Sequence, residues 1–181
     1  MKQRIAVFGA ECSGKTTLAQ QLAAHFAEPW AAEFVRDFWH ARHGDIRAQH
    51  LATVAQGQID NEETAAASAD KLVFCDTDLI TNTLWADLLF PGHCPAWVRQ
   101  AAALRCRDYA LYLLCDNDIP FVHDVVRSFP EPAMRAHGRW LWRTALVDRG
   151  LPFVDIRGGF DQRFATALAA VERVIAGPAG W

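Results

Sequence analysis

The sequence has few lysines, a small net charge and no long apolar segment, and each shortage excludes a class of protein. Three lysines stand against fifteen arginines, and the formal net charge is −3 with a pI near 6.1. This balance argues against a general affinity for nucleic acid, which depends on neutralising phosphates. No apolar run approaches the roughly 18 residues that cross a bilayer, and no charged leader with an apolar core begins the chain. We therefore expect a cytoplasmic protein with no nucleic acid partner and no contact with a membrane.

The cysteines are odd in number, widely scattered and without C-x-x-C spacing, so neither a disulfide framework nor a zinc site is expected. We predict five reduced thiols, two of them inside buried strands. Cys12 lies in a turn rich in N–H donors, which can lower the pKa of a thiol, although an incidental loop residue is the simpler interpretation. The five positions are Cys12, Cys75, Cys94, Cys106 and Cys115.

Near the start of the chain, residues 9–16 read GAECSGKT and match the pattern G-x-x-x-x-G-K-[ST]. Such a loop wraps phosphate oxygens with backbone N–H groups, while its lysine neutralises charge and its hydroxyl reaches Mg²⁺. A chance match in a chain of this length is an event on the order of 1%. The flanking sequence also fits the strand–loop–helix order of such a site. The apolar residues 4–8 precede the loop, and Leu18, Leu22 and Phe26 follow it at helical spacing. We therefore predict a P-loop that binds ATP with Mg²⁺.

The predicted phosphate loop supplies both binding and catalytic groups. Lys15 is expected to act on the transferred phosphate, and Thr16 is expected to be a Mg²⁺ ligand. The residues predicted to bind ATP are Gly9, Glu11, Cys12, Ser13, Gly14, Lys15, Thr16 and Thr17.

Apolar strand-like segments alternate with helical patterns along the whole chain. Strands are predicted at residues 4–8, 30–34, 71–76, 109–115 and 152–156, and a long helix at 48–70. This alternation predicts an α/β fold of three layers, α/β/α, with a mostly parallel five-stranded sheet. We expect one domain over residues 1–181, with the P-loop NTPase/kinase fold. The polar, proline-punctuated segment 116–135 is predicted to be a mobile lid.

Ligands of parallel sheets bind beyond the carboxyl ends of the strands, so residues at those points are candidate site residues. Asp76 follows a buried strand, where a second Mg²⁺-associated carboxylate is expected, and Asp78 either binds substrate or caps the next helix. Glu33 can accept hydrogen bonds from a substrate hydroxyl and Arg36 can bind an anion; an exposed helix start is the alternative. Arg127, in the lid, is expected to close onto the phosphates.

Two further arginines lie on the helical pattern that follows the lid. Arg135 and Arg139 are four positions apart, on one face of that helix. A solvated helix face is the preferred interpretation of both, and the alternative is that they join Arg127 in binding the phosphates when the lid closes.

Taken together, these motifs resemble the kinase domain of NadR-type proteins, the ribosylnicotinamide kinase unit of the P-loop kinase superfamily. The likeness covers nearly the whole chain and rests on five segments, which are GAECSGKTTL at 9–18, EFVRDF at 33–38, FCDTD at 74–78, DVVRS at 124–128 and FDQRF at 160–164. The resemblance implies an enzyme that uses ATP to phosphorylate the ribose 5′-hydroxyl of nicotinamide riboside. The product would be the mononucleotide used in NAD salvage, formed by direct in-line transfer.

Individual roles follow from the resemblance. It implies that Lys15 and Thr16 bind ATP·Mg²⁺, that Glu33 and Arg36 bind the riboside, that Asp76 serves Mg²⁺ or the acceptor, and that Arg127 belongs to the lid. Two departures stand out. Cys12 replaces the more usual serine of the loop, and no adenylyltransferase or DNA-binding domain precedes residue 1, which suggests a stand-alone kinase.

Two alternatives stay open at this point. A kinase of the same fold could act on another nucleoside or on a vitamin alcohol, and the sequence discriminates these poorly. A nucleotide-dependent ATPase or switch acting on a protein partner is the alternative from a different class. The short chain and the acids at several strand ends favour a small-molecule kinase.

Overall fold

The computed structural model describes residues 2–122 and 130–177, and within these ranges five strands alternate with seven helices. The strands are β1 (Gln3–Phe8), β2 (Trp30–Ala31), β3 (Leu72–Asp76), β4 (Tyr109–Cys115) and β5 (Phe153–Ile156). The helices are α1 (Lys15–Phe26), α2 (Phe34–Ala41), α3 (Leu51–Ser68), α4 (Leu79–Leu89), α5 (Ala96–Arg105), α6 (Pro132–Val147) and α7 (Phe160–Ala176). Short 3₁₀ turns cover Ala48–His50 and Cys106–Asp108.

The five strands form one sheet in the order β2-β3-β1-β4-β5, and each neighbouring pair is parallel. The predicted α/β fold is therefore confirmed, and the sheet of the described residues is wholly rather than mostly parallel. In this register Val7 of β1 pairs with Asp76 of β3 on one side and with Leu113 of β4 on the other. The carboxyl ends of the three central strands thus meet at the edge where the phosphate loop begins.

A small cluster joins α3, α4 and α5, and the core against the sheet has two halves, one on each face. Side chains of β1 alternate between them, so Ala6 and Phe8 face one half, and Ile5 and Val7 face the other. The first half contains buried residues of α3, α4 and α6, including Trp142, and the second contains residues of α1 and α7. Burying each of the large side chains contributes about 1.5–3 kcal/mol, so the two halves fix the helices to the sheet.

The second strand is shorter than the sequence predicts. Residues 30–34 read as a strand, but β2 ends at Ala31 and α2 begins at Phe34. Beyond Ala31 the backbone is bonded to α3, since Asn61 Nδ2 donates to the carbonyl oxygen of Ala32 at 3.0 Å and Gln58 Oε1 accepts from the N–H of Phe34 at 3.0 Å. Hydrophobic pattern alone could not reveal these contacts.

Part of the predicted lid is helical. Helix α6 begins at Pro132, with proline in the first turn where its missing N–H costs nothing. Residues 123–129 lie outside the described residues, so the mobility predicted for the segment 116–135 stays a prediction.

Two expectations about the environment of the chain can be compared with the structure. Among residues 2–122 and 130–177 no helix combines the length and the apolar character that crossing a bilayer requires. All five cysteines are free thiols, and Cys75 and Cys115 are buried in β3 and β4 as predicted.

Candidate active site

The phosphate loop joins β1 to α1 through two glycines that other residues could not easily replace. A Cβ at Gly9, where φ is 150°, would lie 2.6 Å from the carbonyl oxygen of Cys115, because β1 and β4 approach closely there. Gly14 is the N-cap of α1 with φ 79°, and no side chain caps this end of the helix. The first N–H groups of α1 are therefore directed into the loop, which is the arrangement that binds phosphate at a helix N-terminus.

One carbonyl oxygen organises the interior of the loop. Lys15 Nζ donates to the carbonyl oxygen of Ala10 at 2.9 Å, and Ser13 Oγ donates to the same oxygen at 2.7 Å. Both donors are buried. These bonds hold the lysine ammonium inside the curve of the loop, where a phosphate group would compete for it.

Cys12 links the loop to the segment that follows β4. Its thiol donates to the carbonyl oxygen of Pro120, with Sγ and O 3.7 Å apart, and its sulfur accepts from the N–H of Val122 at 3.3 Å. Cys12 also has φ 52°, a left-handed conformation that is uncommon outside glycine. The thiol is thus a structural contact between the loop and the start of the predicted lid.

Asp76 lies across from the loop and pairs with Thr16. Its Oδ2 accepts a hydrogen bond from the Thr16 hydroxyl at 2.5 Å, and only 1% of the residue is exposed. Its Oδ1 is buried and has no hydrogen-bond partner in the described part of the chain. A hydroxyl and a carboxylate with one unused oxygen are hard oxygen ligands, so this pair fits Mg²⁺.

Burial raises the pKa of Asp76 to about 6, and the charge of Glu33 adds to the rise, while Lys15 and the Thr16 hydroxyl oppose it. Arg36 lowers the same pKa. Glu33 and Arg36 therefore lie near enough to Asp76 to act on its charge. The charges of the two predicted acceptor-side residues thus act on the carboxylate that is the predicted Mg²⁺ ligand.

Asp78 is fully enclosed two residues further on. It is the N-cap of α4, with Oδ1 accepting from the N–H of Thr81 at 3.1 Å and Oδ2 accepting from the hydroxyl of Tyr112 at 3.0 Å. Burial raises its pKa to about 7, and the Thr81 N–H opposes this rise. Asp78 therefore caps α4, which is one of its two predicted roles, and both of its carboxylate oxygens have partners. Substrate binding by Asp78 stays a prediction.

Sequence reasoning missed the role of Arg163, which is only 3% exposed. Its guanidinium donates to the carbonyl oxygens of Ser13 at 2.9 Å, Asp116 at 2.8 Å and Gly158 at 2.7 Å. It also pairs with the carboxylate of Asp118. One side chain therefore fixes the phosphate loop to the ends of β4 and β5. The available signal was its place in the FDQRF segment, one turn into α7.

The solvated face predicted for Arg135 and Arg139 agrees with the exposure of Arg139 but not with the half-buried Arg135, and both side chains also bind the turn after β4. Arg139 Nη2 lies 3.1 Å from Oδ2 of Asp116, which is 6% exposed. Arg135 donates to the carbonyl oxygens of Asn117 at 2.5 Å and Ile119 at 2.8 Å. Both arginines stabilise the turn after β4, because that turn leaves carbonyl and carboxylate oxygens without partners in the sheet. Arg127, the predicted lid arginine, lies outside the described residues.

A glycine loop between a central parallel strand and a helix, with an acid past the adjacent strand, defines a P-loop kinase fold. The sheet order and the position of Asp76 beside Thr16 both belong to that class. A family model described as AAA domain matches residues 4–163, and the chain belongs to this family.

The curated relatives carry the name NadR. The Trifunctional NAD biosynthesis/regulator protein NadR of Escherichia coli (strain K12) is 29% identical over 176 residues, which are 94% of this chain and 42% of the relative. The protein of the same name from Salmonella typhimurium is 28% identical over the same shares. The chain thus spans less than half the length of these two relatives.

Solved structures agree on the fold. A NadR protein in complex with NR superposes with a TM-score of 0.73 at 23% identity, covering 98% of this chain and 52% of that one. A thymidylate kinase from Candida albicans gives a TM-score of 0.59 at 13% identity, with 94% and 91% covered. The NadR resemblance and the kinase fold predicted from sequence are therefore confirmed.

Proposed function

We propose that this protein is an ATP-dependent kinase that phosphorylates the ribose 5′-hydroxyl of nicotinamide riboside to give nicotinamide mononucleotide. The observation that carries the proposal is the Thr16–Asp76 pair, with Glu33 and Arg36 acting on the same carboxylate. The relatives named NadR support the choice of acceptor, since one was solved with NR and another with NAD and AMP-PNP.

The donor side of the proposed site is the phosphate loop. The N–H groups at the start of α1 bind phosphate oxygens, and Lys15 exchanges the Ala10 carbonyl for the transferred phosphate. Thr16 and Asp76 are the residues that would hold Mg²⁺, which supplies charge neutralisation to the phosphates when bound. Asp76 must be deprotonated for this, and the positive charge nearby favours that state.

The acceptor side consists of Glu33 and Arg36 at the start of α2. The Glu33 carboxylate accepts a hydrogen bond from the ribose and orients the 5′-hydroxyl, while Arg36 stabilises negative charge on the transferred group. Either Glu33 or Asp76 takes the hydroxyl proton. We assign no covalent phosphoenzyme, because neither side of the site supplies a positioned nucleophile, and the transfer is direct and in line.

The test is incubation with ATP·Mg²⁺ and a panel of ribosides, read by mass spectrometry. A gain of one phosphate by nicotinamide riboside supports the proposal, whereas transfer to a different nucleoside alone keeps the kinase and replaces its substrate. Steady ATP hydrolysis that no acceptor increases would favour the ATPase alternative.

A matched variant tests the acceptor-side assignment. Glu33→Gln should bind ATP as tightly as the wild type and lower transfer about 100-fold or more, because the amide cannot take a proton or hold the hydroxyl as firmly. Equal loss of ATP binding would contradict the assignment.

A further inference from the structure

Helix α2 begins with Glu33 at the N-cap position, yet Glu33 does not cap the helix. No side-chain capping bond is made by Glu33. The first N–H groups of any helix need partners from outside the helix, and an N-cap side chain is their usual acceptor. The carboxylate of Glu33 is thus available for another purpose, and the N–H of Phe34, which is not the usual donor to an N-cap side chain, needs a partner of its own.

That partner comes from α3. Gln58 Oε1 accepts a hydrogen bond from the N–H of Phe34, the first residue of α2, at 3.0 Å. Gln58 is 1% exposed, so this bond is shielded from water. The Phe34 ring packs over Gly57, where an added Cβ would lie 2.4 Å from the ring. The residue beside Glu33 is therefore held at both its backbone and its side chain.

The orientation of the Gln58 amide is itself fixed. Its Nε2 donates to Oε1 of Glu62 at 3.4 Å, and Glu62 is fully buried on the next turn of α3. Oε2 of Glu62 accepts from Arg105 at 3.1 Å. Because the N–H of Phe34 can only donate, the amide must present its oxygen to Phe34 and therefore its nitrogen to Glu62.

From this chain of bonds we propose that Gln58 is a positioning residue of the acceptor site. It binds the first N–H of α2 and so fixes the backbone next to Glu33, whose carboxylate makes no capping bond and is left to the hydroxyl of the acceptor. The assignment rests on the proposed function in one respect, because it takes Glu33 and Arg36 to be acceptor-side residues. The bonds of Gln58 are to α2 and α3 and not to the phosphate loop, so replacing Gln58 should affect the acceptor and not ATP.

The experiment compares Gln58→Leu with Gln56→Leu, an exposed glutamine two residues earlier on the same helix. Gln58→Leu should raise the KM of the riboside about tenfold and leave the KM of ATP within about twofold, because only the start of α2 loses its partner. Gln56→Leu should change neither. A fall in the amount of active enzyme with both KM values unchanged would overturn the inference.

A polarity exchange provides the rescue. In the double variant Gln58→Glu/Glu62→Gln, the carboxylate now at position 58 accepts from the N–H of Phe34, and the amide now at position 62 donates to that carboxylate. The KM of the riboside should therefore return to within about threefold of the wild-type value. Failure of this rescue, with both single variants folded, counts against the proposed bond chain.

Amide hydrogen exchange separates this inference from the proposed function. In Gln58→Leu the Phe34 amide should exchange at least tenfold faster, with or without substrate. If the wild type phosphorylates no riboside, the proposed function fails, and the Phe34 exchange rate alone decides whether Gln58 binds the first N–H of α2. Unchanged exchange there overturns the inference.

Discussion

The hydroxyl of Thr16 donates to Oδ2 of Asp76 over 2.5 Å, although the two residues are 60 positions apart. Thr16 is in the first turn of α1, and Asp76 ends β3, the strand beside β1. The pairing of Val7 with Asp76 in the sheet sets this distance, because it aligns the end of β3 with the start of the phosphate loop.

Removing the Thr16 hydroxyl should therefore cost activity more than stability. Thr16→Val is expected to lower kcat/KM for ATP·Mg²⁺ about 100-fold, because the proposed Mg²⁺ ligand and the partner of Asp76 are lost together. Thr16→Ser keeps the hydroxyl and should stay within about threefold. Steady-state kinetics over a range of Mg²⁺ concentrations make the measurement. Similar losses in both variants would contradict this assignment, because Thr16→Ser keeps the hydroxyl.

The rate should depend on pH through Asp76. Its pKa is raised to about 6, and only the ionised carboxylate binds a cation. We expect kcat/KM for ATP·Mg²⁺ to rise as pH increases through about 6 and then to level off, since this parameter reports the free enzyme. In Asp76→Asn the residual rate should lose this step. A wild-type profile that is flat between pH 5 and 7.5 would contradict the assignment.

Stability should change with pH in the opposite direction, through Asp78. Its pKa is raised to about 7 in the folded protein, against 3.8 as the ordinary value. Between these values the folded state retains a proton that the unfolded state has released, so the free energy of unfolding falls as pH rises. Asp78→Asn keeps the capping oxygen and removes the charge.

The free energy of unfolding of Asp78→Asn should exceed that of the wild type by about 2 kcal/mol at pH 8 and should differ little from it at pH 5. Urea denaturation at the two pH values measures the difference. An equal change in stability at both would show that the buried charge is not its cause.

Replacing the buried guanidinium of Arg163 should weaken the binding of ATP. Arg163→Lys keeps the charge but cannot reach three carbonyl oxygens at once, so the loop at Ser13 loses its support. We expect the KM of ATP to rise about tenfold and the KM of the riboside to stay within about twofold, the reverse of Gln58→Leu. Arg173→Lys, at an exposed position of α7, is the control. A change in both KM values by the same factor would argue for general loosening.

Crowding at Gly57 offers a test of packing. Gly57→Ala should destabilise the protein by about 1–3 kcal/mol, despite the better helix propensity of alanine, because the new methyl group overlaps the Phe34 ring. Phe34→Leu in the same chain should recover part of this loss, and a double-mutant cycle from urea denaturation quantifies the coupling. Strictly additive effects of Gly57→Ala and Phe34→Leu would mean that the Phe34 ring does not pack against residue 57.

The parts of the site that the sequence predicted are those set by local pattern. The phosphate loop is one continuous motif, and Asp76 was found because an apolar strand ends immediately before it. The predicted strands and the predicted long helix at 48–70 agreed with the structure to within a few residues for the same reason, except at β2.

The supports of the site could not be predicted, since they depend on contacts between distant segments. Arg163 and Ser13 are 150 positions apart, and Gln58 and Phe34 are 24 apart. Their side chains have ordinary alternative roles on a helix surface, and only the packing of α3 and α7 against the sheet selects among them. The φ of 76° at Thr77 likewise gives no local signal, because a β-branched residue rarely adopts it.

The sheet order carries an evolutionary consequence. With β1 in the centre, the supports of the phosphate loop come from β4, β5 and α7, while the proposed acceptor residues and Gln58 lie with β3, β2, α2 and α3. Substitutions in β2, α2 and α3 therefore touch none of the contacts that hold the phosphate loop to β4, β5 and α7. A lineage with this architecture can acquire a new acceptor in small steps while every intermediate still binds its phosphate donor.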